Sequence, residues 1–288
     1  MEYVQHIVNG VLAGFLLALV ALGFSMVWGI LNIINLAHAA FIMMGAFLSY
    51  YMWQKIGLDP FLGLPITMVA LFVVGFLLQK YVINLVIRAS LLVTLLLTFG
   101  IEGLAINLAL RLFTANTRAV RPSYANASLA LGSLRLPYTL LIGAGVTILL
   151  TLLLYLFLDH TWTGRSIRAL ALDRTAASLI GIDIGRTYAL TFGIGAALAG
   201  AAGTLIATYN GFSPGSFDPY NVLAFSIVVL GGLGSIPGAL VGGLVFGLVS
   251  EFASVYALPQ REVIIFAILI LVLVVRPTGL LGKRGYNI

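Results

Sequence analysis

The chain has 288 residues, 61% hydrophobic and 8% charged, with a net charge of +6 and no cysteine. So much apolar surface beside so few charges excludes a soluble globular domain, where about 25% charged residues is usual, and makes lipid the solvent. Without cysteine there is no disulfide framework, thiolate metal site or thiol nucleophile, and the basic residues fall mostly at the ends of apolar runs, where they set orientation rather than bind nucleic acid.

The first apolar run, 7–31, follows "MEYVQH", which has no basic flank, and is longer than a signal-peptide core. It reads as a retained span. Further runs of spanning length lie at 36–54, 61–80, 90–113, 138–158, 187–208 and 262–276, while 219–257 is interrupted by "GGLGSIPG" and reads as two spans, 219–235 and 237–257. The expectation is an all-α polytopic transmembrane helix bundle of about 8–9 spans, forming a single domain over 1–288.

At the start of the second run, Asn32 and Asn35 are suited to a turn, and with His38 they mark either a helix break or a polar stretch beside a pathway. Glu102 stands near the middle of 90–113. A carboxylate there costs ~2.5–3.5 kcal/mol on insertion scales, so it must face protein or water. It either lines a path or ties two helices by a hydrogen bond. Asn107, five residues on, does not share one clean stripe with it.

The loop at 111–137 carries Arg111, Arg118, Arg121 and Arg135, and within it "SLALGSLRLPY" reads as a hairpin turning at Gly132-Ser133, with Pro137 opening the next helix. The block "HTWTGRSIRALALDRTAASLIGIDIGR", 160–186, is too charged to cross a bilayer. Within it Asp173 is a good N-cap, "RTAASLI" gives about two turns of helix, and Gly181 suits the left-handed residue after the helix end. Such a stub, with an apolar knob at Leu179 and Ile180, either enters a groove on another protein or rests on the membrane surface. Further along, "GIGAALAGAAGTLIA" and "GALVGGLVFG" pair Ala196 with Gly200, Ala199 with Gly203, Gly238 with Gly242 and Gly243 with Gly247, a spacing that lets helices approach closely. Glu251 falls near the end of its span and is expected to be solvated.

Charge sets the orientation. Arg276, Lys283 and Arg284 place the tail in the cytoplasm, and Arg165, Arg168, Arg174 and Arg186 place 160–186 on the same side. Counting spans then puts Lys80 and Arg88 inside and the N-terminus outside. "YNGFSPGSFDPY" becomes an external loop, as does 111–137 despite its arginines.

Four separated stretches carry a resemblance. "GRSIRALALDRTAASLIGID" resembles the cytoplasmic coupling loop of permeases from ABC importers for branched-chain amino acids, "GILNIINLAHAAFIMMGAF" the second-span signature of that family, and "VLGGLGSIPGALVGGLVFGLVSE" with "RPTGLLG" its late signatures. Where many members carry a glycine and an acidic residue after the histidine, this chain reads Ala39-Ala40. The resemblance implies a type II-like ABC importer permease fold in the bacterial or archaeal cytoplasmic membrane. It implies as partners a second, homologous permease subunit, two cytoplasmic ATPase subunits and a periplasmic or extracellular substrate-binding protein. Carried over, the ATPase-coupling residues are Gly164, Arg165, Arg168, Ala169, Asp173, Ala176, Ala177, Leu179, Gly181, Ile182 and Asp183. Pathway candidates are Asn32, Asn35, His38, Glu102 and Asn107, and binding-protein docking candidates are Arg118, Arg121 and Arg135. There is no Walker A loop, no metal-spaced His/Asp/Glu cluster and no paired nucleophile and base, so no catalytic residue, metal or cofactor is expected. The rival reading is a stand-alone secondary transporter of a small polar solute that uses Glu102 for ion coupling.

Overall fold

In lipid each backbone amide must find its partner within the protein, so long apolar runs fold as helices. The computed structural model describes residues 2–87, 89–132 and 134–282. The chain begins with α1 (Glu2–Leu31), α2 (His38–Ile56) and α3 (Pro60–Leu78), the last continued by a π-turn at Gln79–Ile83 and the short α4 (Asn84–Val86). Then follow α5 (Leu91–Phe113), a hairpin of β1 (Ser128–Leu131) and β2 (Leu134–Pro137), α6 (Tyr138–His160), α7 (Trp162–Leu172) and α8 (Arg174–Leu179). The chain continues with α9 (Ile184–Tyr209), α10 (Pro219–Gly231), α11 (Ile236–Tyr256) and α12 (Arg261–Val275).

Among the described residues, 7 helical segments are long and apolar enough to cross a membrane, fewer than the 8–9 expected. The difference falls on the runs at 36–54 and 219–235. Helix α2 is long enough, but His38, Ser49, Tyr50, Tyr51, Gln54 and Lys55 lower its hydropathy. Helix α10 has 13 residues, about 20 Å at 1.5 Å per residue, well short of a bilayer core of about 30 Å. The split at "GGLG" is where it was expected: α10 ends before Gly232, and Ser235 caps α11 by accepting from the Gly238 amide.

Helices α1 and α9 form the centre, with 78% and 89% of their most apolar windows buried. Small residues let their neighbours approach. On α9, Gly200 lies on Gly45 and Gly203 on the Ile42 carbonyl of α2, while Ala196 meets Gly75 of α3. On α11, Gly238 and Gly242 face Gly231 and Ile227 of α10, and Gly243 and Gly247 face Ala18 and Gly14 of α1. The small-residue pairs read from the sequence are therefore contact faces, as packing in lipid demands.

The bundle has two distinct ends. At one, the chain after α12 folds back so that the Leu280 and Leu281 amides donate to the Leu230 and Gly231 carbonyls, both at 2.8 Å. These carbonyls would otherwise be left open at the end of α10. Gly29 of α1 packs on Gly234 there, so the late glycine motif and the tail motif, far apart in sequence, meet at the end of α1. At the other end lies the hairpin, with Leu131 paired to Leu134 and Gly132 at φ 64°. Arg88, Ser133, Lys283 and Arg284 lie outside the described residues.

Two expectations change in detail. The stretch "YNGFSPGSFDPY" is mostly exposed and pairs with 111–137 through Phe212 and Arg118, but Phe212 and Phe217 are fully buried, and the chain turns back into the bundle through a 3-10 turn at Pro214–Phe217. Those aromatic rings have no place in water. Glu251 is half-buried rather than solvated, because His6 Nδ1 lies 3.1 Å and Asn9 Nδ2 3.5 Å from its Oε1.

Candidate functional site

The second apolar run does not start where the first ends. After α1 the chain crosses residues 32–37 without helix, and α2 begins beside Val20, whose carbonyl accepts from His38 Nε2–H at 2.8 Å. Val20 lies roughly 16 Å along α1 from Leu31 at 1.5 Å per residue, about half a bilayer core. Helix α10 starts at the same depth. Asn221 in its first turn donates through Nδ2 to the Leu36 carbonyl (2.6 Å) and to Glu102 Oε1 (2.6 Å), and accepts from the Ala39 amide (3.0 Å). From α5, one turn before Glu102, Thr98 Oγ1 donates to the Ile34 carbonyl (3.1 Å) and accepts from the Leu36 amide (3.2 Å). An open backbone inside the bundle thus has its polar groups taken up by Thr98 and Asn221.

Glu102 is 8% exposed and stands where the amino ends of two broken helices meet. Their dipoles favour a carboxylate there. The helix-tying role weighed for Glu102 is realised in its bond to Asn221. His38, 1% exposed, is fastened to α1 with its ring edge on Phe24. Asn35 is buried at the break with its Oδ1 unpartnered, and Asn32 takes a left-handed φ of 53° just past the end of α1. Asn107 stays apart: it is exposed and its Nδ2 donates to the Gly103 carbonyl of its own helix.

The basic block forms two helices set at the Leu31 end. Thr161 caps α7 by accepting from the Gly164 amide, and Gly164 is pressed on the backbone of Phe157 and Leu158 where α6 turns into α7. Arg168 reaches back to Asp159 at 2.6 Å, Arg165 lies over the Trp162 ring, and Ala169 helps carry the turn to Asp173 by accepting from its amide. Asp173 Oδ1 accepts from the Thr175 (2.7 Å) and Ala176 (3.0 Å) amides, so α8 has the predicted cap. At its far end the Gly181 amide donates to Ser178 and the Ile182 amide to Ala177, with Gly181 at φ 86°. That is the paired-bond helix stop in which glycine is favoured. Asp183 then caps α9 by accepting from the Arg186 amide at 3.0 Å.

One member of this set faces the other way. Ala177, expected at a partner's surface, is 2% exposed and packs within this chain, whereas Leu179 and Ile180 are 82% and 74% exposed. Six residues make fewer than two turns, so one face must seat the helix while the opposite face stays free. Arg174 adds a strut: its Nη2 donates to the Leu31 carbonyl at 3.1 Å and its guanidinium lies 5.2 Å over the Tyr188 ring. The block is thereby tied to the last carbonyl before the break that Asn221 and Thr98 hold.

At the hairpin end, Arg118 is also turned inward, against its expected role as a free docking cation. It donates to Tyr51 Oη and to the Phe113 carbonyl and lies within 5.9 Å of the ring centres of Phe47, Tyr50, Tyr51 and Phe113. A guanidinium so enclosed gains from both its fork of hydrogen bonds and the ring faces. Its backbone pairs with Phe212 in both directions, and the Val120 amide donates to Ala207 at 2.9 Å. Tyr124 donates to Asp59 Oδ2, and burial first, then this bond and its charge, holds the hydroxyl well above the ordinary tyrosine range, so it stays a donor. Arg121 and Arg135 have exposed side chains. Arg118→Ala is expected to raise the hydrogen-exchange rate of the Arg118 and Val120 amides at least tenfold, the equivalent of about 1.4 kcal/mol of local stability. Unchanged exchange would show that the cage does not hold the loop.

Comparison with known proteins decides the family. Residues 6–273 match the family described as the branched-chain amino acid transport system permease component. The chain is 33% identical to the high-affinity branched-chain amino acid transport system permease protein BraD of Pseudomonas aeruginosa, over 98% of this chain and 96% of that protein. It is 34% identical to LivH of Escherichia coli K12 over the same shares of each chain. It is 26% identical to a probable branched-chain amino acid transport permease of Methanocaldococcus jannaschii, over 93% of this chain and 89% of that one.

The chain belongs to this permease family.

No solved structure matches it. Membership supports the importer-subunit reading over the stand-alone transporter, and the permease is an integral membrane protein. Two of its junction residues, Asn221 and Thr98, were not singled out from the sequence. Asn221 follows "SFDPY" near the start of 219–235, which reads as an apolar span, and Thr98 is one more hydroxyl in an apolar helix. Thr94, Thr98 and Glu102 do recur at helical spacing, the one signal that could have found the buried face of α5.

Proposed function

We propose that this permease forms half of the translocation pathway of an ABC importer for branched-chain amino acids. A second homologous permease subunit completes the pathway. Two cytoplasmic ATPase subunits supply the energy, and a substrate-binding protein delivers the amino acid from outside. The whole of 1–288 acts as one transmembrane domain, with the N-terminus outside and the α8 end in the cytoplasm. The observation that carries this reading is the mounting of α8: a helix stopped at both ends, seated on buried Ala177 and presenting Leu179 and Ile180 bare. Rigid seating lets a push on the apolar tip reach the bundle, and Arg174 passes it to the end of α1. The break at 32–37, with Asn35, Glu102 and Asn221, borders the path. Arg121 and Arg135 serve the binding protein at the hairpin end, where Arg118 shapes the surface from within.

The test is Leu179→Asp combined with Ile180→Asp, with ATPase co-purification and uptake of labelled leucine as readouts. The pair removes an apolar tip that a groove would bury, so both readouts are expected to fall at least tenfold with the subunit still in the membrane. Full ATPase recovery with normal uptake would reduce α8 to a surface anchor. Ala177→Trp, being a core substitution, reports on packing and not on docking.

A further inference from the structure

We infer that the permease holds an anionic phospholipid by its headgroup in a cavity between the π-turn and the start of α9. The cavity has a volume of about 560 Å³ and is lined by Phe76, Lys80, Asn84, Asp183, Gly185 and Arg186, within the range of small-ligand sites. Two cations face one carboxylate, which leaves an excess of positive charge. Asp183 is already engaged, since its Oδ1 accepts the Arg186 amide as the cap of α9. Among the described residues neither Lys80 nor Arg186 is in an ion pair. A phosphate group there would meet two donors with no competing partner.

The walls are fixed rather than incidental. Gln79, fully buried, donates to Asn84 Oδ1 at 2.9 Å, and Asn84 donates to the Gly185 carbonyl at 3.2 Å. This chain of amides fastens the π-turn to α9 and keeps the two cations on one cavity. Such single-turn π segments often mark functional positions. Lys80 Nζ lies 6.0 Å from the Phe76 and 5.1 Å from the Tyr81 ring centre, so its stem follows apolar surface to bring the charge to the cavity.

What selects a lipid over a soluble anion is the surface next to the cavity. Along α3, Val73, Val74 and Leu77 are exposed, and with Tyr81 they form an apolar strip leading away from Lys80. Acyl chains can lie on that strip while the headgroup phosphate occupies the cavity. Basic pockets between helices near a membrane surface bind acidic headgroups in this manner.

The experiment uses the full permease with its co-purifying subunits, delipidated in detergent, then given phosphatidylglycerol or phosphatidylcholine and examined by native mass spectrometry. One phosphatidylglycerol is expected to be retained and phosphatidylcholine at least tenfold less. The Lys80→Gln, Arg186→Gln double variant is expected to lose that preference, while Lys80→Arg with Arg186→Lys keeps it and Lys55→Gln, at the far end of α2, leaves it unchanged. Unfolding temperatures of all variants identify any that fail to fold, and the charge-preserving pair then carries the test. Equal retention of the two lipids, or undiminished retention in the folded double variant, overturns the proposal. Displacement of the lipid by inorganic phosphate assigns the cavity to a soluble anion and overturns the lipid. Loss of ATPase subunits from the double variant with retention unchanged assigns the two cations to a protein contact instead.

Discussion

Gly203→Leu is expected to cut the amount of membrane-embedded permease more than tenfold, whereas Gly103→Leu is expected to leave it intact. A Cβ on Gly203 would collide with the Ile42 carbonyl and the Ala46 amide of α2, both main-chain groups that cannot swing aside. Overpacking a fitted core costs ~1–3 kcal/mol, and more when backbone must move. At Gly103 an added Cβ meets nothing within 4 Å, and leucine on an outward face of α5 suits lipid. Subunit yield by immunoblot and the unfolding temperature in detergent separate the two. Equal yields would mean that α2 and α9 do not cross as closely as described.

Asn221→Leu is expected to lower leucine uptake at least tenfold. It strands the Leu36 carbonyl, the Ala39 amide and Glu102 together, and each buried group left unpaired costs about 1–3 kcal/mol. Glu102→Gln keeps an acceptor for Asn221 and should retain most uptake, while Glu102→Leu should resemble Asn221→Leu. Because the residues share one bond, the double substitution should cost less than the sum of the singles. Uptake normalised to embedded protein is the measurement. A severe loss in Glu102→Gln at unchanged yield would transfer the role from helix-tying to the charge itself.

Much of the fold is legible because small residues and helix stops act locally. The caps at Asp173 and Gly181 and the break at "GGLG" each need only a few neighbouring residues. Direction is harder to read. In lipid the apolar face no longer points to a core: α1 is apolar all round, and its buried side is distinguished by Gly10, Gly14 and Ala18 rather than by hydropathy. The same lack of a gradient hides which way Ala177 faces in so short a helix. Arg118 reads as a surface charge because its cage is assembled from α2 and α5, and no spacing within 111–137 announces it. Glu102 stands out by its charge alone, but its partner Asn221 opens a run that reads as an ordinary apolar span, and nothing in that run marks the short α10 as starting inside the bundle beside α5.

The packing of α1 has a consequence for biogenesis. This helix leaves the ribosome long before its partner face on α11: Glu251 lies 245 residues beyond His6, which it meets in the finished protein. At a synthesis rate of about 5–20 residues per second the wait is on the order of 10–50 s. Throughout that interval the strip of Gly10, Gly14 and Ala18 is open to any helix with a matching small-residue face. The intended pairing is therefore a race against neighbours already in the bilayer, and slowing translation between α9 and α11 should raise the share of chains that pair wrongly and are degraded.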